Sequence, residues 1–451
     1  ISDYVFSPDE QTILVASGRK PIYRHSYTTS YSLIRDNRVQ PVLRQAEAPR
    51  DASFSPDGQQ IAYSDGNDLY VYDIAAQTTR RITDDGAWNQ VINGTTDWVY
   101  EEEFGITQAY AFSPDSRRIA YLRFDESEVP LMEMMRFDGK LYNRAYSFKY
   151  PKAGERNSVV QLWVADLQTG TKERIDTGPE TDQYIPRIGW TPDGRPWFYR
   201  LNRRQNTFEM IVCEPHGAQR TVYEERARQY VERVDDKTVT FVDKDRFLVR
   251  QESHTGFMHL YLYSLRRGIL GQVTKGDWEV TEVVGCDGKR VWYLSTETSP
   301  LRRNLYSVRL DGKDKRRLTT GEGYYTAAPA PGMKYFITTF SNASTPNLTE
   351  VCDAEGRVII SPTSLEPFLK LDEIFVEKRD AQVVADIEQM QARMRSGERG
   401  VLQFVARDQT ELVLSYIPIH NGQWVLLTLV PAALMSREVD LYAFWNYIVL
   451  A

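Results

Sequence analysis

Eight consecutive residues combine large aromatic side chains with three adjacent carboxylates, in the order Asp97-Trp98-Val99-Tyr100-Glu101-Glu102-Glu103-Phe104. Neighbouring like charges disfavour one another and resist burial. A run of charges is usually a solvated turn, but a solvated turn does not need Trp98, Tyr100 and Phe104 around it. If the aromatic side chains exclude bulk water, the carboxylates form a site of concentrated negative charge. The ligand that such a site favours is a cation, either an ammonium group or a metal ion.

Two other segments, together with this run, show a resemblance to a known family. Upstream lies Tyr23-Arg24-His25-Ser26-Tyr27-Thr28, and downstream lies Asp125-Glu126-Ser127-Glu128-Val129-Pro130-Leu131. With the run from Asn93 to Phe104, they resemble motifs of dipeptidyl peptidase IV and its bacterial relatives. Residues 93–104 resemble the family's double-glutamate motif, and residues 23–28 resemble its substrate-contacting arginine segment. Residues 125–131 follow the double-glutamate motif at the distance expected for the family. It covers residues 1 to 355.

The resemblance implies a way of binding peptides. In the family, two glutamates bind the protonated N-terminal amine of a peptide, and by resemblance these are Glu102 and Glu103. An ammonium group offers three donors, so two fixed carboxylates can accept two of them. By resemblance, Arg24 holds a carbonyl or carboxylate of the same peptide, which suits its planar guanidinium. The alternatives are a solvated turn for the glutamates and a surface salt bridge for Arg24.

The residues around these three have less specific interpretations. Glu101 is expected to face solvent or to cap a short helix. His25 is expected to be structural, because no nucleophile lies near it in the sequence. Asp125, Glu126 and Glu128 lack the alternating oxygen-ligand spacing of a calcium loop. We therefore expect a loop beside the site, and we assign neither a metal nor a cofactor.

Composition favours a globular protein of two or more domains. The chain has 451 residues, of which 41% are apolar and 26% charged, and this length exceeds one ordinary core. The net charge of −7 gives no reason to expect nucleic acid as a partner. Cys213, Cys286 and Cys352 are far apart and show no metal-ligand spacing. We expect each to be a small buried side chain.

Two short patterns recur along the first part of the chain. One is a Ser/Thr-Pro-Asp turn before an apolar strand, and it starts at Ser7, Ser55, Ser113 and Thr191. The other is a strand that begins with Leu and an aromatic residue or a close variant, at residues 69–74, 162–167, 260–265 and 305–310. Recurrence over some tens of residues predicts a β-propeller of six to eight four-stranded blades. The resemblance implies eight blades, and we expect the first to be incomplete because Ile1 falls inside the first repeat.

The composition changes after Gly356. Residues 380–395 predict an amphipathic helix with Val383, Ile387, Met390 and Met394 on one face. Strands are expected at 401–405, 411–416 and 424–431, with a hairpin turn at Asn421-Gly422. The pattern resembles, more weakly, the end of a Cache-type extracytoplasmic sensor domain. Residues 441–451 are apolar but too few for a membrane span, which needs about 20, so they are either a truncated span or a core segment.

The predicted fold class is therefore mainly β, a propeller over residues 1–355 followed by a small α+β domain over 356–451. No Gly-x-Ser-x-Gly motif occurs in the chain, and the only histidine after Cys286 is His420. The α/β-hydrolase domain that the family carries is absent from this chain, and no catalytic residue is assigned.

Three functional hypotheses follow. The first is the substrate-recognition propeller of a dipeptidyl peptidase IV-like serine exopeptidase, which binds peptides with a free N-terminus. The resemblance implies that the intact enzyme releases Xaa-Pro or Xaa-Ala dipeptides outside the cytoplasm, in the periplasm or extracellularly, and is often dimeric. The second is an extracytoplasmic sensor module that signals through a membrane helix. The third is a scaffold, or an artificial or misassembled fusion of two unrelated pieces, which the abrupt change near Gly356 indicates.

Overall fold

The computed structural model describes residues 1–137, 139–214, 217–232, 234–252, 254–360, 381–405, 411–419 and 424–432. Over these residues the chain is mainly β, as the repeats predict. It divides into two compact units, Ile1–Thr326 and Ala327–Ala451. The domain boundary predicted at residue 355 lies inside the second unit, in a turn that follows Asp353.

The first unit begins with three antiparallel sheets. The first contains β1 (Asp3–Phe6), β2 (Ile13–Pro21), β3 (Tyr27–Arg35) and β4 (Arg38–Val42). The second contains β5 (Arg50–Phe54), β6 (Gln60–Asp65), β7 (Asp68–Asp73) and β8 (Thr78–Arg81). The third contains β9 (Val91–Asn93), β10 (Tyr110–Phe112), β11 (Arg118–Asp125), β14 (Val159–Asp166) and β15 (Lys172–Ile175). A separate hairpin of β12 (Leu131–Arg136) and β13 (Arg144–Lys149) interrupts this sheet between β11 and β14.

Three more sheets complete the first unit. The fourth contains β16 (Gln183–Tyr184), β17 (Ile188–Trp190), β18 (Pro196–Asn202), β19 (Thr207–Cys213) and β20 (Gln219–Arg226). The fifth contains β21 (Val239–Phe241), β22 (Arg246–Gln251), β23 (His259–Ser264) and β24 (Gly268–Gln272). The sixth contains β25 (Val280–Cys286), β26 (Arg290–Ser295), β27 (Asn304–Arg309) and β28 (Arg316–Arg317).

The Ser/Thr-Pro-Asp turns join the first two strand positions of the first four sheets. In the first turn, the Ser7 hydroxyl donates to Asp9 Oδ1 at 2.6 Å and accepts the N–H of Thr12 at 2.9 Å. The same two bonds recur at Ser55, Ser113 and Thr191. The repeated sequence therefore encodes one repeated turn, as its chemistry predicts.

A second set of buried bonds closes the second, fifth and sixth sheets. In the second sheet, Thr83 Oγ1 donates to Asp68 Oδ1 at 2.7 Å and accepts the N–H of Leu69 at 2.9 Å. In the fifth sheet, Thr274 Oγ1 bonds the ring of His259 and accepts the N–H of Leu260. In the sixth sheet, Thr319 Oγ1 bonds the side-chain amide of Asn304 and accepts the N–H of Leu305. In the sequence each of these threonines follows an apolar residue, in the pairs Ile82-Thr83, Val273-Thr274 and Leu318-Thr319.

Buried side chains of each sheet pack against those of the next. Leu14 and Leu33 of the first sheet form one cluster with Ile61 and Tyr63 of the second. Other clusters join the second and third sheets, the third to the fifth, and the fifth and sixth. Sheets that pack face to face in sequence order are the blades of a β-propeller.

A further four-stranded meander begins at Tyr324. It contains β29 (Tyr324–Pro329), β30 (Tyr335–Asn342), β31 (Thr345–Asp353) and β32 (Val358–Ile360), with a 3₁₀ turn at Pro331–Met333. The described residues thus contain seven blade-like sheets. The first of them already has four strands, and the count of eight blades stays a prediction.

The other described residues of the second unit form a helix and three strands where the sequence predicts them. They are α2 (Ala381–Arg395), β33 (Gly400–Val405), β34 (Glu411–Ile419) and β35 (Trp424–Pro431). Met390 and Met394 are buried, as expected for one face of the helix. The side chains of Val383 and Ile387, the Asn421-Gly422 turn and residues 441–451 lie outside the described residues. No helix in the part of the chain that the structure describes is both long and apolar enough to cross a membrane.

The three cysteines are free thiols. Cys213 and Cys352 are buried, as predicted, and Cys286 is partly buried. Burial raises the pKa of the Cys213 thiol to about 12. These thiols are therefore side chains of the core and not reactive groups at neutral pH.

The Ser113 turn provides a test of the repeat. Ser113 is fully buried, and its hydroxyl bonds both Asp115 and the N–H of Arg118. We expect Ser113→Ala to lower the free energy of unfolding by about 1–3 kcal/mol, because the N–H of Arg118 and the carboxylate of Asp115 lose a buried hydroxyl partner. Ser127→Ala is the matched control, since Ser127 makes a similar bond to Asp125 at the surface. Urea unfolding of both variants checks this, and equal effects would contradict it.

Candidate functional site

The acidic run forms a short helix, α1 (Trp98–Phe104), between β9 and β10. Asp97 is its N-cap, and Asp97 Oδ1 accepts the N–H of Tyr100 at 2.9 Å. The other carboxyl oxygen accepts the hydroxyl of Ser158 at 2.6 Å. The helix ends at Gly105, whose backbone is left-handed with φ 65°. An Asp before the first turn and a Gly after the last are ordinary helix boundaries.

One face of α1 is part of the hydrophobic core. Val99, Tyr100 and Phe104 are all buried in the cluster that joins the third to fifth sheets. The rings of Tyr100 and Phe124 pack edge to face with centroids 4.8 Å apart, and the Tyr100 hydroxyl accepts the N–H of Ile185 at 2.7 Å. These aromatic residues fix the orientation of the helix, and with it the directions of the three glutamates.

The three adjacent glutamates have three different environments. Glu101 is fully buried, Glu102 keeps 22% of its side chain exposed, and Glu103 is exposed. Successive residues of a helix point about 100° apart, so three consecutive side chains cannot share one environment. The run is therefore neither a wholly solvated turn nor a single carboxylate cluster.

The prediction that Glu101 faces solvent or caps a helix is wrong. Its Oε1 atom accepts the backbone N–H of His25 at 2.7 Å and that of Ser26 at 2.8 Å. Oε2 is buried without a hydrogen-bond partner among the described residues. Two charge-assisted bonds to backbone N–H groups offset the cost of burying the carboxylate. His25 thus takes part through its backbone, in keeping with the structural role predicted for it.

The structure brings Arg24 and Glu102 together. The Arg24 guanidinium donates from Nη2 to Glu102 Oε1 at 2.9 Å and from Nε to Glu102 Oε2 at 3.1 Å, a bidentate pair. The Arg24 side chain is 70% exposed. Glu103, the next residue, makes no hydrogen bond or ion pair with the described residues. Of the three residues singled out from the sequence, the structure therefore joins Arg24 and Glu102, and Glu103 follows Glu102 in α1 with an exposed side chain.

The loop that follows β11 packs close to this site, as predicted. Lys149 Nζ donates to the carbonyl oxygens of Ser127 at 2.9 Å and Val129 at 2.7 Å, and these bonds attach the loop to strand β13. The ring of Tyr23 packs on Phe148 of the same strand with centroids 5.5 Å apart. The sequence carries no signal for Lys149, because both of its partners are backbone carbonyls.

Glu126 is the titratable group of this loop whose environment differs most from water. The residue is only 5% exposed. Burial, and to a smaller extent the nearby Asp97 carboxyl, raises the pKa of Glu126 to about 7, although Lys149 acts in the opposite direction. Burial also raises the pKa of Asp97. Within the described parts of the chain, no group of three or more His, Cys, Asp or Glu residues is arranged to hold a metal ion.

Comparison with known proteins places these features in a family. The family described as the dipeptidyl peptidase IV (DPP IV) N-terminal region matches residues 7–347. The chain belongs to this family. A crystal structure of Porphyromonas gingivalis dipeptidyl peptidase 4 is similar with a TM-score of 0.76 and 30% identity, over 92% of this chain and 57% of that chain. The predicted β-propeller is thereby confirmed.

The curated relatives are longer proteins. Dipeptidyl peptidase 4 of Trichophyton tonsurans is 31% identical over 76% of this chain and 47% of its own length. Inactive dipeptidyl peptidase 10 of Rattus norvegicus is 31% identical over 69% of this chain and 42% of its own length. The chain spans about half the length of the curated relatives it matches. Since one of these DPP IV relatives is named inactive, similarity over this region does not separate active from inactive members.

The raised pKa of Glu126 predicts how the free energy of unfolding depends on pH. A carboxyl whose pKa is raised by folding stabilises the folded state below its unfolded pKa, near 4.5, and this stabilisation is lost as the pH rises through about 7. The shift corresponds to about 3 kcal/mol. We expect the free energy of unfolding of Glu126→Gln to fall less between pH 4.5 and pH 8 than that of the wild type, by up to this amount.

Urea unfolding at the two pH values measures the difference. The control is Glu128→Gln, because Glu128 is exposed and, among the described residues, forms an ion pair only with the exposed Arg156. Parallel pH profiles for the wild type and Glu126→Gln would show that Glu126 titrates normally.

Proposed function

We propose that this DPP IV-family propeller binds peptides through their free N-terminal amine, as the substrate-recognition part of a dipeptidyl peptidase IV-like serine exopeptidase. The observation that carries the proposal is the bidentate pair in which Arg24 holds the carboxylate of Glu102. Glu103, the next residue of α1, is exposed and makes no hydrogen bond or ion pair with the described residues. The family to which the chain belongs supports it.

The charges at the site favour one added cation. Two carboxylates and one guanidinium leave a net charge of −1, which a single ammonium group neutralises. Glu103 can accept one ammonium N–H. Each oxygen of Glu102 has a second lone pair besides the one directed at Arg24, so it can accept another.

Arg24 retains the capacity to bind the peptide as well. A guanidinium has five N–H donors, and two of the donors of Arg24 are directed at Glu102. The others are free to bind a peptide carbonyl or carboxylate, because most of the side chain is exposed. A peptide held by its amine and by a carbonyl has a fixed end, which is the condition for removing a unit of constant length.

We propose peptide cleavage only for an intact enzyme that combines this propeller with a hydrolase domain. A serine nucleophile, its base and the oxyanion donors would be supplied by an α/β-hydrolase domain, and the products would be Xaa-Pro or Xaa-Ala dipeptides. A periplasmic or extracellular location and a homodimer are further parts of this proposal, and they rest on the family resemblance alone.

Calorimetric binding of an Xaa-Pro peptide, with its N-terminus free and then acetylated, tests the amine site. We expect the wild type to bind the free peptide and not the acetylated one. Glu102→Gln/Glu103→Gln should weaken binding of the free peptide at least about tenfold, since each charge-assisted bond contributes roughly 1.5–3 kcal/mol. Glu128→Gln, which removes an exposed carboxylate of the loop after β11, should bind like the wild type.

Two results would contradict the proposal. Equal binding of the free and acetylated peptides would show that the amine is not recognised. Failure of the wild type to bind either peptide would favour the sensor hypothesis, in which the ligand is of another class.

A further inference from the structure

Glu101 connects the peptide site to the fold. We infer that Glu101 is a positioning residue, which holds the backbone next to Arg24 so that the Arg24 side chain meets Glu102. The placement of Arg24 against Glu102 is visible in the structure. Its importance for peptide binding rests on the function proposed above.

Arg24 lies in a tight turn between β2 and β3. The turn, residues 22–26, is closed by the N–H of Ile22, which donates to the carbonyl of Ser26 at 2.9 Å. The N–H of Tyr23 also donates to the Ser26 hydroxyl at 3.3 Å. These bonds shape the turn internally, but they do not determine where it lies relative to α1.

The bonds of Glu101 determine that position. They reach the N–H groups of His25 and Ser26, the two residues that follow Arg24, at 2.7 and 2.8 Å. Glu102, the next residue of the same helix, binds the Arg24 side chain. Consecutive helix residues therefore hold the backbone and the side chain of one turn.

The exposed ion pair is a weak means of fixing this turn. The Arg24 side chain is 70% exposed, and water screens such pairs strongly. The Glu101 carboxylate is fully buried and its two bonds are charge-assisted, so they are stronger. We conclude that the buried residue places the turn and that the Arg24–Glu102 pair forms as a result.

Because only one oxygen of Glu101 is bonded, substitutions can distinguish the effect of its side-chain length from the effect of its charge. Only Oε1 contacts the turn, while Oε2 has no partner among the described residues. A glutamine can present one carbonyl oxygen to the same two N–H groups. An alanine cannot, and an aspartate is one methylene too short.

A double-mutant cycle tests the inference through free-peptide affinity. Glu101→Ala and Glu101→Gln are each made in the wild type and in an Arg24→Met background. We expect Glu101→Ala to weaken binding about tenfold when Arg24 is present and less than twofold when it is absent, because Glu101 acts through Arg24. Glu101→Gln should stay within about threefold of its parent, since the acceptor remains. If Glu101→Ala does not fold, Glu101→Asp replaces it with the same expectation.

Hydrogen exchange of residues 22–28 without peptide gives a readout that does not depend on binding. We expect faster exchange in Glu101→Ala than in Glu101→Gln. The matched control is Asp65→Ala, because Asp65 also accepts two distant backbone N–H groups, those of Glu47 and Ala48. It should lower stability and leave both peptide affinity and exchange at 22–28 unchanged.

The outcomes distinguish this inference from the proposed function. Equal loss of affinity in both backgrounds would overturn the positioning role and leave the amine site intact. A wild type that does not distinguish free from acetylated peptide would overturn the proposed function. In that case the positioning role of Glu101 is tested by hydrogen exchange of residues 22–28 alone. Unchanged exchange in Glu101→Ala would then overturn the inference as well.

Discussion

The carboxylate of Glu101 joins parts of the chain that are 75 and 76 positions apart. Because this group is buried in helix α1, the turn that carries Arg24 is placed by the same core that places the helix. Among the hydrogen bonds and ion pairs of the described residues, only the Arg24–Glu102 pair would join the Arg24 turn of the first sheet to α1, an insertion in the third, without this contact. One buried acceptor thus makes a site from two surface segments of different blades.

The blades themselves leave room for such insertions. Each of the first four is closed near its start by a Ser/Thr-Pro-Asp turn, and three blades are closed near their end by a threonine. Since these bonds lie within single sheets, the connections between strands can lengthen without disturbing the ladders. The β12–β13 hairpin and helix α1 are both additions of this kind, and additions to a rigid scaffold are where binding sites usually form.

Much of this arrangement follows from the sequence. Turn chemistry and repeated apolar strands predict the blades, and the charge run predicts the site. The N-cap role of Asp97 could also have been recognised, because an Asp before a helical turn is a common start signal. Glu101 and Lys149 could not, because their partners are backbone groups of distant segments, and every residue has such groups. Which of three adjacent glutamates is buried depends on how the core orients the helix, and that is a property of the fold.

The way α1 is attached has a consequence for how the site meets a ligand. Strand β9 enters the excursion and strand β10 leaves it, and both pair with the same strand, β11, at opposite ends. Bonds between Gly94, Ala109 and Leu122 close the base of the excursion. A segment that departs from one strand and returns to it has no hinge of its own. The backbone of α1 is therefore preorganised, so that little of its conformational entropy would be lost on binding a ligand there.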